Sequence, residues 1–164
     1  GSNWSTGNKG DPLIGATVWQ SVCYGKGKFV AMTQGGSSKF NVAYSTNGED
    51  WSSVTEVCPD GGFTGIWAAS CYGNGKFVML ERGGNKAVYS TDGKNWSTIT
   101  IPTGNWWYVC YGNGMFIAIT YDGQTAYSED GINWNIGKKL SPPSASHSWQ
   151  GLAYGLDSDV FGFL

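Results

Sequence analysis

The chain has 164 residues, with ten basic and twelve acidic side chains and a net charge of −2. It carries no basic stripe that would recommend nucleic acid as a partner and no apolar run of membrane-spanning length, so both are set aside. With 26 Gly, nine Trp, nine Tyr and seven Phe and no stretch of helical period, it predicts many short strands joined by tight turns in one domain.

Taken from the start, Asn3-Trp4-Ser5-Thr6 repeats Asn95-Trp96-Ser97-Thr98. The match reads residues 3–7 as the last strand of a repeating unit, and residues 7–15 as a surface link. A first full unit follows over 16–57. It holds Trp19, Cys23-Tyr24, the turn Gly25-Lys26-Gly27, the run Phe29-Val30-Ala31-Met32 and then VAYSTNGEDW. Residues 58–65, containing Pro59-Asp60-Gly61-Gly62, are turn-rich and belong at a surface. The second unit, 66–101, is the clearest copy: Trp67, Cys71-Tyr72, Gly73-Asn74-Gly75, Phe77 to Leu80, then AVYSTDGKNW. The third, 106–136, repeats it from Trp106 and Cys110 to Trp134. After the connection 137–148 a worn fourth copy, 149–164, starts at Trp149, with Ala153 in the Cys position and Tyr154-Gly155 behind it.

Trp19, Trp67, Trp106 and Trp149 are 48, 39 and 43 residues apart, the spacing of a repeat architecture. Within a copy, Asn74-Gly75 between apolar runs is a strong hairpin signal, Gly83-Gly84 makes the next reversal, and Thr91-Asp92-Gly93-Lys94 a third turn. Each copy is thus expected to be a four-stranded antiparallel meander. Its second strand is apolar on both sides, so both sheet faces must be covered. Sheets packed radially do this. The expected fold is an all-β, β-propeller architecture with three complete blades and a fourth drawn from both chain ends. Such a split blade leaves strand edges unpaired. It can be closed by the two ends together, by another copy of the chain in a homo-oligomer, or by further blades of a longer propeller.

Cys23, Cys71 and Cys110 share one position in successive first strands, where they read as buried thiols rather than disulfides. Cys58 lies outside the pattern. There is no CxxC and only one His, so no metal site or cofactor is expected. The G-x-G-K stretches have no following helix and recur once per unit, which makes them hairpin turns rather than phosphate loops.

At YSTNGEDW, YSTDGKNW and YSEDGINW the chain resembles the Asp-box, or BNR-type, repeat of sialidase-like β-propellers, S-x-D-x-G-x-x-W between the third and fourth strands of a blade. The matching residues are Ser45, Asn47, Gly48 and Trp51; Ser90, Asp92, Gly93 and Trp96; Ser128, Asp130, Gly131 and Trp134. Each copy lacks one residue between Asp and Gly, and the first has Asn47 for Asp. In this it looks like the short-turn variant of bacterial and phage surface proteins. The resemblance implies the propeller fold and a structural role for the motif. Its Asp or Asn oxygen accepts turn N–H bonds, its Gly takes positive φ, and its Trp packs beside the turn.

Catalysis is not expected. Sialidases hold the substrate carboxylate with several Arg side chains, and this chain has one, Arg82. Most acids sit in turns, and a Ser-His-Asp site would rest on His147 alone. Binding is placed instead on the rim formed by the 2–3 turns and the connections between units, where the sequence varies. The candidates there are Gln34, Arg82, Trp67, Trp106, Trp107, Asp122, Gln124, His147 and Trp149. A Trp repeated at one position in every copy reads as inter-blade packing more readily than as a ligand platform, whereas Trp107 has no counterpart in the other copies, so regular packing does not demand it. The expectation is a non-enzymatic, lectin-like glycan-binding or adhesion module of an extracellular, cell-surface or virion-associated protein. The alternative is a structural or protein-interaction propeller without sugar binding, and a third is an inactive relative of a glycoside hydrolase.

Overall fold

A computed structural model describes residues 18–35, 41–54, 66–141 and 150–154, and no helix occurs among them. The split-blade strands expected over 3–7 and in most of 149–164 lie outside these residues, as does Cys58. Ten strands are formed: β1 (Trp19–Gly25), β2 (Lys28–Thr33), β3 (Val42–Ser45), β4 (Ser52–Val54), β5 (Ile66–Gly73), β6 (Lys76–Ser90), β7 (Ser97–Gly112), β8 (Met115–Thr120), β9 (Thr125–Ser128) and β10 (Asn135–Ile136). They make a four-stranded sheet ordered β1-β2-β3-β4 and a six-stranded sheet ordered β10-β9-β8-β7-β6-β5, with every pairing antiparallel.

The tight turns follow from their residues. Lys26-Gly27, Asn74-Gly75 and Asn113-Gly114 all have both φ angles positive, the twist that suits a two-residue hairpin. β6 is itself folded. A straight strand of its 15 residues would hold Phe77 roughly 40 Å from Ser90. Yet the Phe77 ring lies 3.6 Å from the Cβ position of Gly93, only three residues further on. The chain must therefore double back within β6, and Gly83, at φ 78°, is where the backbone allows it.

The sequence reads three separate meanders, whereas the structure runs the last strand of blade two into the first strand of blade three as one element, β7. Only Pro102-Thr103-Gly104-Asn105 joins them, too few residues to leave the sheet, and Gly104 and Asn105 pair with Gly84 and Arg82. Between blades one and two the connection is longer. There the described residues are joined by a Gly35–Ile66 bridge and a bond from Trp67 N–H to the Gln34 carbonyl.

Blades stack face to face through a repeated set of contacts. Val30, Met32 and Val42 of blade one form a core cluster with Trp67, Phe77, Met79, Val88 and Trp96 of blade two. Val78, Leu80 and Ala87 of blade two do the same with Trp106, Phe116, Ala118 and Ala126 of blade three. Phe77, Val78, Met79 and Leu80 are all fully buried, because blade two has a neighbour on each side. The corresponding Phe29, Ala31 and Ile117 of the outer blades are only half-buried. Turn contacts repeat as well. The Lys26 Nζ donates to the Thr91 carbonyl at 3.2 Å, and the equivalent Asn74 amide donates to the Glu129 carbonyl at 3.0 Å. Hairpin turns and Asp-box-like turns therefore share one rim.

The inner edge is set by a relay of rings. Tyr72 lies 2.0 Å from where a Cβ on Gly25 would stand, Tyr111 stands at the same distance from Gly73, and Tyr154 from Gly112. Tyr72 and Tyr111 also tilt against a Phe of their own blade, Phe77 and Phe116, at 4.7 Å. Beside the relay run the three thiols. Cys71 and Cys110 are buried, Cys23 is half-buried, and all three are free. Burial pushes Cys23 and Cys110 up to about 11 and Cys71 well above the ordinary thiol value, with Cys23 and Cys110 adding to the rise at Cys71. They are packing groups held protonated at neutral pH.

Candidate functional site

Every first strand breaks register at one place. The extra residue falls between Trp19 and Ser21, between Trp67 and Ala69, and between Trp106 and Tyr108. It is Gln20 in blade one, Ala68 in blade two and Trp107 in blade three. A bulge inserts an unpaired residue and re-aims its side chain. Here the three bulges converge on a cavity of about 250 Å³ at the hub, lined by residues of β1, β5 and β7 together with Leu152. The Ser21 and Ser70 hydroxyls, both in its lining, hydrogen-bond to each other at 2.8 Å, and Ser21 Oγ also accepts the Ser70 N–H at 3.2 Å.

Trp107 is the large side chain at this mouth, and its ring is half-buried. The Arg82 guanidinium lies over the ring at 3.7 Å, and Tyr121 sits 5.8 Å away at a tilt of 48°. Arg82 is steadied from the side, its Nε donating to Asn105 Oδ1 at 3.3 Å. The indole Nε1 of Trp107 is buried and has no hydrogen-bond partner among the described residues. Trp96 and Trp134 share that condition, but neither lines the cavity. The hub mouth thus offers a buried N–H donor, an exposed Tyr121, and the Ser21 and Ser70 hydroxyls in one neighbourhood.

Of the rim residues singled out in the sequence, the structure brings Trp107 and Arg82 together. Trp67 and Trp106 are a correction: both are fully buried, with no ring face open to a ligand. Trp106 Nε1 is also committed to the Pro102 carbonyl at 2.9 Å. The reason is the blade stack, in which these two Trp fill the same position against the preceding sheet. Gln124 is occupied as well, its amide donating to the Gly137 carbonyl at 2.8 Å and to that of Thr125 at 3.2 Å. Asp122 pairs with Lys139 and accepts from Thr120 Oγ1, and the Lys139 ammonium and Thr120 hydroxyl hold its carboxyl below the usual range. Gln34 contributes backbone bonds at the joint between blades, away from the cavity lining. His147 and Trp149 lie outside the described residues. Tyr121 belongs to the variable rim read in the sequence, whereas Asn105, Gln20, Ser21 and Ser70 are brought to the site by the fold. Gln20 was detectable in principle, since it occupies the same column as Trp107 one residue after the repeated Trp.

The Asp-box-like turns are built for structure. Asp92 Oδ1 accepts the N–H groups of Lys94 and Asn95 at 2.8 Å, and Asp130 Oδ1 those of Ile132 and Asn133 at 2.8 Å. Asn47 Oδ1 does the same for Glu49 and Asp50 at 2.9 Å. Ser45, Ser90 and Ser128 each accept the N–H of the motif glycine, and Gly48, Gly93 and Gly131 all have positive φ. Trp96 is buried, and Trp51 and Trp134 half-buried, beside these turns.

Burial raises the Asp92 carboxyl, but the Asn95 and Lys94 N–H groups, the Asn95 amide and Ser90 outweigh it and hold the group well below the carboxylate range. At Asp130 the Asn133 N–H leads the same lowering. A depressed carboxylate stabilises the fold above its unfolded value of 3.8 and loses that contribution as pH falls below it. The thermal midpoint is therefore expected to drop from about pH 4 downward, and to drop less steeply in Asp92→Asn/Asp130→Asn. Asn47 shows that an amide keeps the acceptor geometry, so the double variant should fold. Melting curves between pH 2 and 7 read the difference.

No group of side chains that could hold a metal ion occurs among the described residues. No protein-family model and no curated protein matches the chain. Solved structures do. Virginiamycin B lyase from Staphylococcus aureus aligns at 13% identity with a TM-score of 0.63, over 84% of this chain and 45% of its own. YCF48 bound to D1 peptide aligns at 16% identity and a TM-score of 0.57, over 74% of this chain and 40% of its own. The computationally designed Ika4 protein aligns at 10% identity and a TM-score of 0.56, over 85% of this chain and 81% of its own. This chain is a β-propeller. It spans less than half the length of the lyase and of YCF48, and at these identities the likeness establishes the fold alone.

Proposed function

We propose that this propeller is a non-enzymatic recognition module of an extracellular bacterial or phage surface protein, and that it binds glycan at the hub mouth around Trp107. The observation that carries the reading is the single aromatic bulge residue there, whose buried indole N–H has no partner among the described residues. A sugar ring presents apolar C–H patches and several hydroxyls. The exposed Tyr121 ring suits the first, and the Trp107 N–H, Ser21, Ser70 and Gln20 suit the second. At about 250 Å³ the cavity admits one sugar residue rather than a long oligosaccharide. A glycan array followed by calorimetry tests this. Trp107→Ala is expected to weaken binding at least about tenfold, as for loss of an aromatic anchor. An empty array, or affinity unchanged in Trp107→Ala, would sink the proposal.

A second reading, peptide or protein recognition at the same mouth, has the Arg82–Trp107 stack in its favour, since Arg and Trp dominate protein interfaces. YCF48 provides a precedent of a propeller with bound peptide. A captured protein partner that survives excess free sugar and is lost in Arg82→Ala would favour it over glycan.

A further inference from the structure

We infer that the sugar taken at the hub mouth is an acidic one, with its carboxylate docked on the terminal N–H groups of Arg82. This rests on the glycan reading above and narrows it to a ligand class. Arg82 is the only arginine of the chain. It is held in place without being neutralised. Its Nε donates to Asn105 Oδ1 at 3.3 Å, and its guanidinium carbon stands 3.7 Å over the Trp107 ring, so both groups that fix it are uncharged. No carboxylate among the described residues pairs with it. The acids nearest in the chain are turned elsewhere. Glu81 lies against Gly84 of the adjoining turn, and Asp122, next to Tyr121, is paired with Lys139 and Thr120.

Stacking engages the flat face of a guanidinium and leaves its edge open. With Nε bound to Asn105, the edge that remains carries both terminal nitrogens. That pair grips a carboxylate through two parallel N–H···O bonds. Asn105 and Trp107 set its direction before a ligand arrives, so little side-chain freedom is lost on binding.

Trp107 adds a second, independent donor. Its Nε1 is buried and has no partner among the described residues. An indole N–H and a guanidinium donate and never accept. A neutral hydroxyl that meets such groups brings a proton of its own, which then needs an acceptor. An ionised carboxylate accepts only and brings none. Two donor-only side chains in contact therefore favour a sugar acid over its neutral counterpart. One guanidinium matches a single negative charge, and its planar edge is complementary to a planar carboxylate.

Calorimetry on the full chain tests this with a trisaccharide ending in glucuronate. The comparisons are its methyl ester and the same trisaccharide ending in glucose or in glucose 6-sulfate. The glucuronate is expected to bind at least about tenfold more tightly than the ester or the glucose form, as for a hydrogen bond to a charged group. The preference should shrink as salt is raised. Arg82→Gln should bring the acid down to the affinity of the glucose form and leave the latter unchanged. Arg82→Lys, which keeps the charge and loses the fork, should retain only part of the preference. Both variants should melt within about 2 °C of the native chain, since Arg82 is held at the surface of the stack. A pyruvate ketal of the glucose form, run beside the glucuronate, tells which sugar acid is meant, and a preference for either supports the carboxylate. Equal affinity for acid, ester and glucose forms overturns the inference and leaves the glycan reading standing. A sulfate ester bound more tightly than the acid, or an acid preference that survives Arg82→Gln, overturns it as well. Binding by none of the probes, together with an empty array, removes the glycan reading and this inference with it.

Discussion

Trp106→Ala is expected to destabilise the protein by about 3–5 kcal/mol, the range for removing a fully buried large aromatic side chain. Trp106 has no exposed surface, belongs to the cluster that joins blades two and three, and bonds the Pro102 carbonyl through Nε1. The truncation opens a cavity between Leu80 and Phe116 columns that rigid sheets cannot collapse, and it orphans a carbonyl in the short link of β7. For a chain of this size the melting midpoint should fall by roughly 10 °C. Trp107→Ala, one residue on, should leave it within about 2 °C, because the bulge puts that ring at the mouth instead of in the stack. Paired melting curves of the two variants check this. Equal losses would mean that the bulge does not separate packing from rim.

Gly73→Leu should be nearly as damaging, at about 3 kcal/mol or more. A Cβ at Gly73 would stand 2.0 Å from Tyr111 Cγ, inside a ring that is held from its other side by Phe116. Neither the ring nor its sheet can retreat, so the added side chain drives the two inner strands apart. Gly75 is the control. Nothing lies within 4 Å of its Cβ position, so a substitution there meets only the cost of its φ of 74°. Chemical denaturation midpoints should therefore rank Gly73→Leu well below Gly75→Ala. The reverse order would remove the Tyr–Gly seat from the account of what holds neighbouring blades together.

Much of this could be read from local residue order. The hairpins at Asn74-Gly75 and Asn113-Gly114 need two positive φ angles, and only a few residue types take them, so the turns are written in the chain itself. Ser90, Asp92 and Gly93 likewise bond within four residues of one another. The doubly apolar strand Phe77 to Leu80 could be seen to need cover on both faces, and the repeat supplied the cover. What stayed hidden was everything that depends on two blades at once. The pattern tells the repeated column of Trp106 from the unrepeated Trp107, but neither the bulge that carries Trp107 nor the Arg82 guanidinium over its ring can be read from it.

The residue order alone determined a repeating all-β chain, its turns and its propeller packing, because these rest on φ preferences and on apolar faces that must be covered. The tertiary structure decided which aromatics are interior, that Arg82 lies on Trp107, and that Tyr rings seat on glycines of the blade before. Those contacts join residues about 25 to 50 positions apart, and their partners are chosen by how tightly the sheets turn about the axis.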